Sequence, residues 1–140
     1  MSRHLTRTAV FVVLEKDTHI FLLRRANTGW SDGLLTVPAG HVDKGDNVIE
    51  SAIKETKEEA GVLITADDLE LIHVDYLLDE YVNFYFRATS WVGEPKVGEP
   101  DMASEGLWCD KNNLPDDLVP PLKNLFIQLG QQKLFSEYCR

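Results

Sequence analysis

Apolar and polar positions change their spacing several times along this chain, and each change predicts an element. Residues 8–15 form a β-branched, apolar run, and residues 19–23 form a second one. Lys16-Asp17-Thr18 between them predicts the turn of a hairpin. Residues 26–33, with Asn-Thr-Gly and Ser-Asp-Gly, read as a loop. Residues 34–37 read as a short strand stopped by Pro38, followed by a loop over 40–45. The period then changes to that of a helix over residues 48–60. Asn47 with Glu50 three residues on is a capping-box arrangement, and Gly61 suits a left-handed terminator. Residues 69–78 and 81–91 look like strands, the second alternating Tyr81, Asn83, Tyr85 and Arg87 with Val82, Phe84, Phe86 and Ala88. Two prolines and two glycines make 93–100 a loop, and 106–109 reads as a short strand. Pro121 opens a last helix with Leu122, Leu125, Phe126 and Leu129 on one face, which reads as packing. Strands on both sides of a central helix, with a second helix at the end, predict an α/β (α+β) fold with a mixed sheet between helices.

Composition narrows the class. At 140 residues, with no repeat or dividing linker, the chain is expected to form one domain over 1–140. Apolar (44%) and charged (26%) contents are ordinary for a globular protein. No stretch reaches the roughly 18 consecutive apolar residues of a membrane span, and the start does not read as a signal peptide. The expected location is therefore the cytoplasm, with no membrane partner. Cys109 and Cys139 have neither metal-site nor redox spacing and read as isolated reduced thiols. A net charge of -9 argues against long nucleic acid, which needs Lys and Arg to neutralise phosphates. A small phosphorylated ligand remains compatible if cations stand between it and the acids.

The helix over 48–60 has two faces. Ile49, Ala52, Ile53, Thr56 and Ala60 fall within an arc of roughly 100°, the expected core side. Glu55, Glu58 and Glu59 fall within another, on the opposite side. By composition alone this second face is a solvated acidic surface, with Glu50, Lys54 and Glu58 forming an ion ladder that offsets like-charge repulsion. The flanks change that picture. Gly40 is followed after five residues by Asp46, and after seven more by Lys54-Glu55-Thr56-Lys57-Glu58-Glu59-Ala60-Gly61-Val62.

This gapless stretch resembles the Nudix box: Gly, five residues, Glu, seven residues, then Arg-Glu-aliphatic-any-Glu-Glu-any-Gly-aliphatic. Gly40, Glu55, Glu58, Glu59, Gly61 and Val62 match, whereas Asp46 stands for Glu, Lys54 for Arg and Thr56 for an aliphatic residue. Leu22-Leu23-Arg24-Arg25, Leu35-Thr36-Val37-Pro38 and Trp108 followed by Leu114-Pro115 are similar to the family's usual surroundings, so the resemblance covers essentially the whole chain. It implies an α/β/α sandwich and a metal-dependent hydrolase that breaks a phosphoanhydride bond of a small nucleotide. Magnesium is the natural cofactor, with manganese as a substitute, because it takes oxygen ligands from a few carboxylates and substrate phosphates.

Carried over residue by residue, the resemblance makes Glu58 and Glu59 direct metal ligands and Glu55 a ligand or the base that positions the attacking water. It adds the carbonyl of Ala39, places Gly40 against the substrate, and leaves Asp46 to tie the loop or hold an outer ion through water. Lys54 stands where an arginine orients the first glutamate, but an ammonium cannot reproduce the planar guanidinium fork. Many relatives recruit one more acid from the loop before the late Trp strand, and of Glu99, Asp101 and Glu105 the expected one is Glu99. Arg25 reads either as a phosphate contact or as one half of an ion pair, and His41 as a hydrogen-bonding loop residue. Trp30, Tyr85 and Trp108 read as base-stacking or core aromatics. A MutT-like action on nucleoside triphosphates leads; alternatives are hydrolysis of ADP-ribose or a nucleotide sugar, and a non-catalytic nucleotide-binding module.

Overall fold

A computed structural model describes residues 3–139. Among these, eight strands and two α-helices run in the order β1 (Arg7–Lys16), β2 (His19–Arg25), β3 (Leu35–Thr36), β4 (Ala39–His41), α1 (Val48–Ala60), β5 (Glu70–Leu77), β6 (Tyr81–Ala88), β7 (Ala103–Asp110), α2 (Pro120–Gly130) and β8 (Phe135–Tyr138). The strands order as β3-β2-β1-β6-β5-β8, with β4 added to β1 and β7 to β2. The pairs β1·β6 and β5·β8 are parallel and the other strand pairs are antiparallel, so the sheet is mixed, as expected.

The hairpin turn is a two-residue one, with Asp17 (φ 51°) and Thr18 (φ 65°) both left-handed, a geometry that matches strand twist. β1 pairs with β2 only beside this turn, at Glu15↔Ile20 and Lys16↔His19. Beyond it the strands part, β1 joining β4 and β6 while β2 joins β3 and β7.

Both faces of β1 are covered, which explains its unbroken apolar run. Val10, Val12 and Leu14 join Ala52, Ala60 and Val62 in the core under α1. Ala9, Phe11 and Val13 join Leu122 and Leu125 in the core under α2. The α/β/α sandwich follows from that division. No helix among the described residues is long and apolar enough to cross a membrane.

Several elements differ from expectation. Residues 39–41 are not loop but β4, because their backbone pairs with β1 at Ala9↔His41, Val10↔Gly40 and Phe11↔Ala39. β6 stops at Ala88 rather than residue 91, and β7 starts earlier than expected, at Ala103. β8 has no apolar alternation of its own and exists through its pairing with β5. In α1 the buried residues are Ser51, Ala52, Thr56 and Ala60, whereas Ile49 and Ile53 are only partly covered. The buried stripe is therefore rotated from the expected core side toward Glu55 and Glu59. The expected ladder of Glu50, Lys54 and Glu58 is not formed as ion pairs among the described residues.

Candidate active site

The cap that begins α1 and the glycine that ends it set where the helix acids lie. Asn47 accepts the Glu50 backbone N–H on its side chain (2.8 Å), half of the expected box. Gly61 (φ 71°) closes the helix with its N–H on the Lys57 carbonyl. Between them, Glu59 accepts the backbone N–H of Ala39 at 3.1 Å, which ties the helix to β4. Glu55 lies directly against Gly40, where a Cβ would collide with its carboxylate. Gly40 is therefore required by close approach, and β4 presents bare backbone to two glutamates.

A third acid arrives from the loop after β6. Lys96 N–H bonds to the Ala60 carbonyl (3.0 Å) and Gly98 N–H to the Glu59 carbonyl (2.8 Å), so this loop satisfies carbonyls left over at the helix end. A side chain at Gly98 would strike the Glu58 carbonyl. Glu99 follows immediately and lines the same cavity as Glu59.

Crowding sets the protonation of this group. Burial pushes the Glu59 carboxyl up to about 8, helped by the charges of Glu55 and Glu99 and opposed by the Ala39 N–H. Burial and the neighbouring Glu58 also raise Glu55, opposed by the Glu59 carboxyl and by Lys54. Carboxylates whose neighbours are other carboxylates are held together only by protons or by a cation. As the side chains stand, no set of three His, Cys, Asp or Glu donors among the described residues converges closely enough to enclose a metal. The donor set nevertheless has the chemistry of a hard divalent cation: ionisable oxygens on two elements, next to exposed backbone.

The cavity itself has a volume of about 700 Å³, within the range of small-molecule sites. Alternate residues of β1, namely Arg7, Ala9 and Phe11, form part of its floor, and Pro120 and Pro121 of α2 part of its wall. Arg25 stands at the acidic end. Its guanidinium donates to the Trp30 carbonyl (2.8 Å) and the Thr28 hydroxyl (2.7 Å) and lies over the Trp30 ring at 4.8 Å. It makes no carboxylate ion pair within 4 Å among the described residues; burial lowers its pKa from the ordinary value, opposed by the charges of Asp32 and Glu59. Asp32 organises this corner by accepting from Thr28 and Gly29.

The other expected residues divide. Glu58 and Lys54 are exposed on α1 and do not line the cavity. Asp46 is exposed too, with its backbone N–H on the Asp43 carbonyl. Thr56, the third departure from the box, is buried and donates its hydroxyl to the Ala52 carbonyl (2.8 Å), so it costs no unsatisfied group. Glu105 belongs to β7, not to the loop, and pairs with Arg24 at 2.6 Å. Asp101 is exposed, with its carbonyl accepting from Asn27. Glu99 is the acid of the three that lines the cavity. His41 pairs with the Tyr81 hydroxyl at 2.9 Å, a hydrogen-bonding residue as expected. Trp30 lines the cavity, Trp108 packs on Phe21 and Trp91, and Tyr85 is wholly buried, stacked on Phe11. Tyr85 is therefore core and cannot stack on a ligand. Cys109 and Cys139 are free thiols.

The profile described as NUDIX domain matches residues 4–129. The chain belongs to the Nudix family. Nudix hydrolases generally use divalent metals such as Mg2+. This Nudix domain is 33% identical over 135 residues to an ADP-ribose pyrophosphatase of Methanocaldococcus jannaschii, covering 94% of this chain and 72% of that protein. It is 29% identical over 118 residues to the 8-oxo-dGTP diphosphatase of Escherichia coli, covering 81% of this chain and 86% of that one. A crystal structure of a MutT NUDIX hydrolase from Burkholderia pseudomallei superposes with a TM-score of 0.80 at 25% identity, over 89% and 98% of the two chains.

Asn83, Tyr81, Met102 and the pair Pro120–Pro121 line the cavity but were not singled out by sequence as site residues. The available signal is a polar Asn on the alternating face of the strand that also carries Tyr81, Tyr85 and Arg87. Its meaning depends on a strand partner that the sequence does not name.

Proposed function

We propose that this Nudix hydrolase uses water to break a phosphoanhydride bond in a nucleoside triphosphate or a nucleoside diphosphate linked to another group. One observation carries the reading: acids from two separate elements, Glu59 of α1 and Glu99 of the loop after β6, converge on one end of a nucleotide-sized cavity, with Glu55 pressed against the backbone beside them. Glu55, Glu58, Glu59, Glu99 and the Ala39 carbonyl would hold the metal. When bound, magnesium supplies charge neutralisation for the phosphates and lowers the cost of making hydroxide from water.

The chain's own groups account for the rest. Arg25 meets the phosphate chain at the acidic end, its planar head already oriented by Thr28 and Trp30. Glu55 takes the proton of the attacking water. The new P–O bond forms as the bond to the bridging oxygen breaks, and the electron pair leaves with the departing phosphate. The products are a nucleoside monophosphate and a second phosphorylated fragment. Gly40 keeps a side chain out of the space that Glu55 occupies.

The similar proteins named for ADP-ribose and for 8-oxo-dGTP mark the two substrate classes to compare. The test is a panel of ADP-ribose, nucleotide sugars and nucleoside triphosphates, 8-oxo-dGTP included, with Mg2+ or Mn2+, read by released monophosphate, phosphate and pyrophosphate. Turnover of at least one class that stops with a chelator is expected. Nucleotide binding without turnover of any panel member would establish a non-catalytic module instead.

A further inference from the structure

A cross-strand row runs beneath the cavity from His41 on β4 through Ala9 on β1 and Asn83 on β6 to Asp75 on β5, each residue the direct partner of the next. Direct partners share a face of the sheet. Ala9, the smallest of the four, leaves an open place on the floor between His41 and Asn83, and all three of these line the cavity.

Asp75, at the end of the row, is fully buried yet surrounded by donors. It accepts the Asn83 amide (2.8 Å), the Tyr85 hydroxyl (2.8 Å) and the Asn124 amide (3.3 Å). A carboxylate only accepts, so it compels each of these partners to turn a donor toward it. The consequence for Asn83 is directional. With its Nδ2 committed to Asp75, its Oδ1 is the polar atom left for the cavity, and no hydrogen bond to a described residue uses it. A fold needing only stability would do as well with apolar side chains at these positions.

We propose that Asn83 reads the base of the substrate, its fixed amide oxygen accepting a hydrogen bond from the base's exocyclic amino group. Asn83 is only 3% exposed, so a donor that meets Oδ1 must project into the floor, as an exocyclic amino group does from the edge of a ring. The substrate class is thereby narrowed to nucleotides of adenine, guanine or cytosine. This rests on the nucleotide reading above. A site built to meet a donor rejects the analogue lacking it, because the acceptor is then buried without a partner.

The test is calorimetric binding by the full chain with Mg2+, using three pairs that differ at the amino position: AMP and purine riboside monophosphate, GMP and IMP, CMP and UMP. Ribose 5-phosphate serves as the base-free reference. Losing the amino group of the preferred base is expected to weaken binding about tenfold or more. Asn83→Leu, which keeps the branched outline but removes the acceptor, should erase that difference when binding is referred to that of ribose 5-phosphate. Asp75→Asn, which keeps the shape but frees the Asn83 amide to turn over, should reduce the preference with Asn83 intact. Nucleotide binding with no amino preference, or a preference that survives Asn83→Leu, overturns the role of Asn83 alone. Failure to bind any of the nucleotides overturns the nucleotide reading as well.

Discussion

Asp75 and Glu59 are both carboxyls taken largely out of water, and their surroundings are opposite. Asp75 is met by three neutral donors from β6 and α2. Burial raises it, and hydrogen bonds from Asn83, Tyr85 and Asn124 pull it back. Glu59 receives one backbone N–H and otherwise faces Glu55 and Glu99. The first arrangement is complete within the chain and fixes the orientation of its partners. The second has no ion pair within 4 Å among the described residues, Arg25 acting on it only from a distance. A carboxyl that organises neighbours is given donors; a carboxyl suited to a cation is given other carboxyls.

Four experiments probe that contrast. The largest effect is expected from Glu59→Gln, which removes an oxygen charge that a divalent ion needs: turnover falls about 10³-fold, while the urea midpoint stays the same or rises, because repulsion is relieved. Glu58→Gln is the informative companion, since Glu58 is exposed and outside the cavity lining. A loss as deep as that of Glu59→Gln shows that Glu58 swings to the metal, and full turnover removes it from the ligand set.

Next is Asp75→Ala, the converse case. It orphans three buried donors, so unfolding in urea should show a loss of about 3 kcal/mol. A change below about 1 kcal/mol would mean that the network does not act as described.

The third effect is a pH dependence that reports the crowding of Glu59. Glu59 keeps its proton in the folded chain up to about 8, against an ordinary 4.5. At this group the folded state therefore binds more protons than the unfolded one across this window, so its contribution to stability is fully present below about 4.5 and is lost as pH rises toward about 8. Urea midpoints from pH 5 to 8.5 should fall in a chelator and flatten in Mg2+, which replaces the proton. Midpoints that climb over this range would contradict the crowding of Glu59.

The smallest effect is expected from Gly98→Ala, remote from substrate. Its added methyl meets the Glu58 carbonyl and lifts the loop that delivers Glu99. Mg2+ affinity by calorimetry should weaken about tenfold with little change in nucleotide binding in the absence of metal. Equal losses in both would assign Gly98 to the fold rather than to the placement of Glu99.

The amino-acid sequence alone determined the helix, its limits and the family. Asn47, Gly61 and the run of glutamates are local signals, and local signals survive without knowledge of what lies opposite. It also set the strands whose two faces are both buried, because an unbroken apolar run needs no partner to be read. Tertiary structure alone decided which acids lie together. Periodicity placed Glu59 on the face opposite the core, yet the helix is rotated so that Glu59 reaches the Ala39 N–H, since β4 offers backbone there and no side chain. It likewise separated Glu99, Asp101 and Glu105, which look alike in the chain: pairing of β7 with β2 puts Glu105 on Arg24, and Glu99 lines the cavity. Asn83 and Asp75 lie eight residues apart in sequence and face one another only through the register of β5 on β6. Strand register is set by packing of both faces at once, which is why no local stretch of the sequence discloses it.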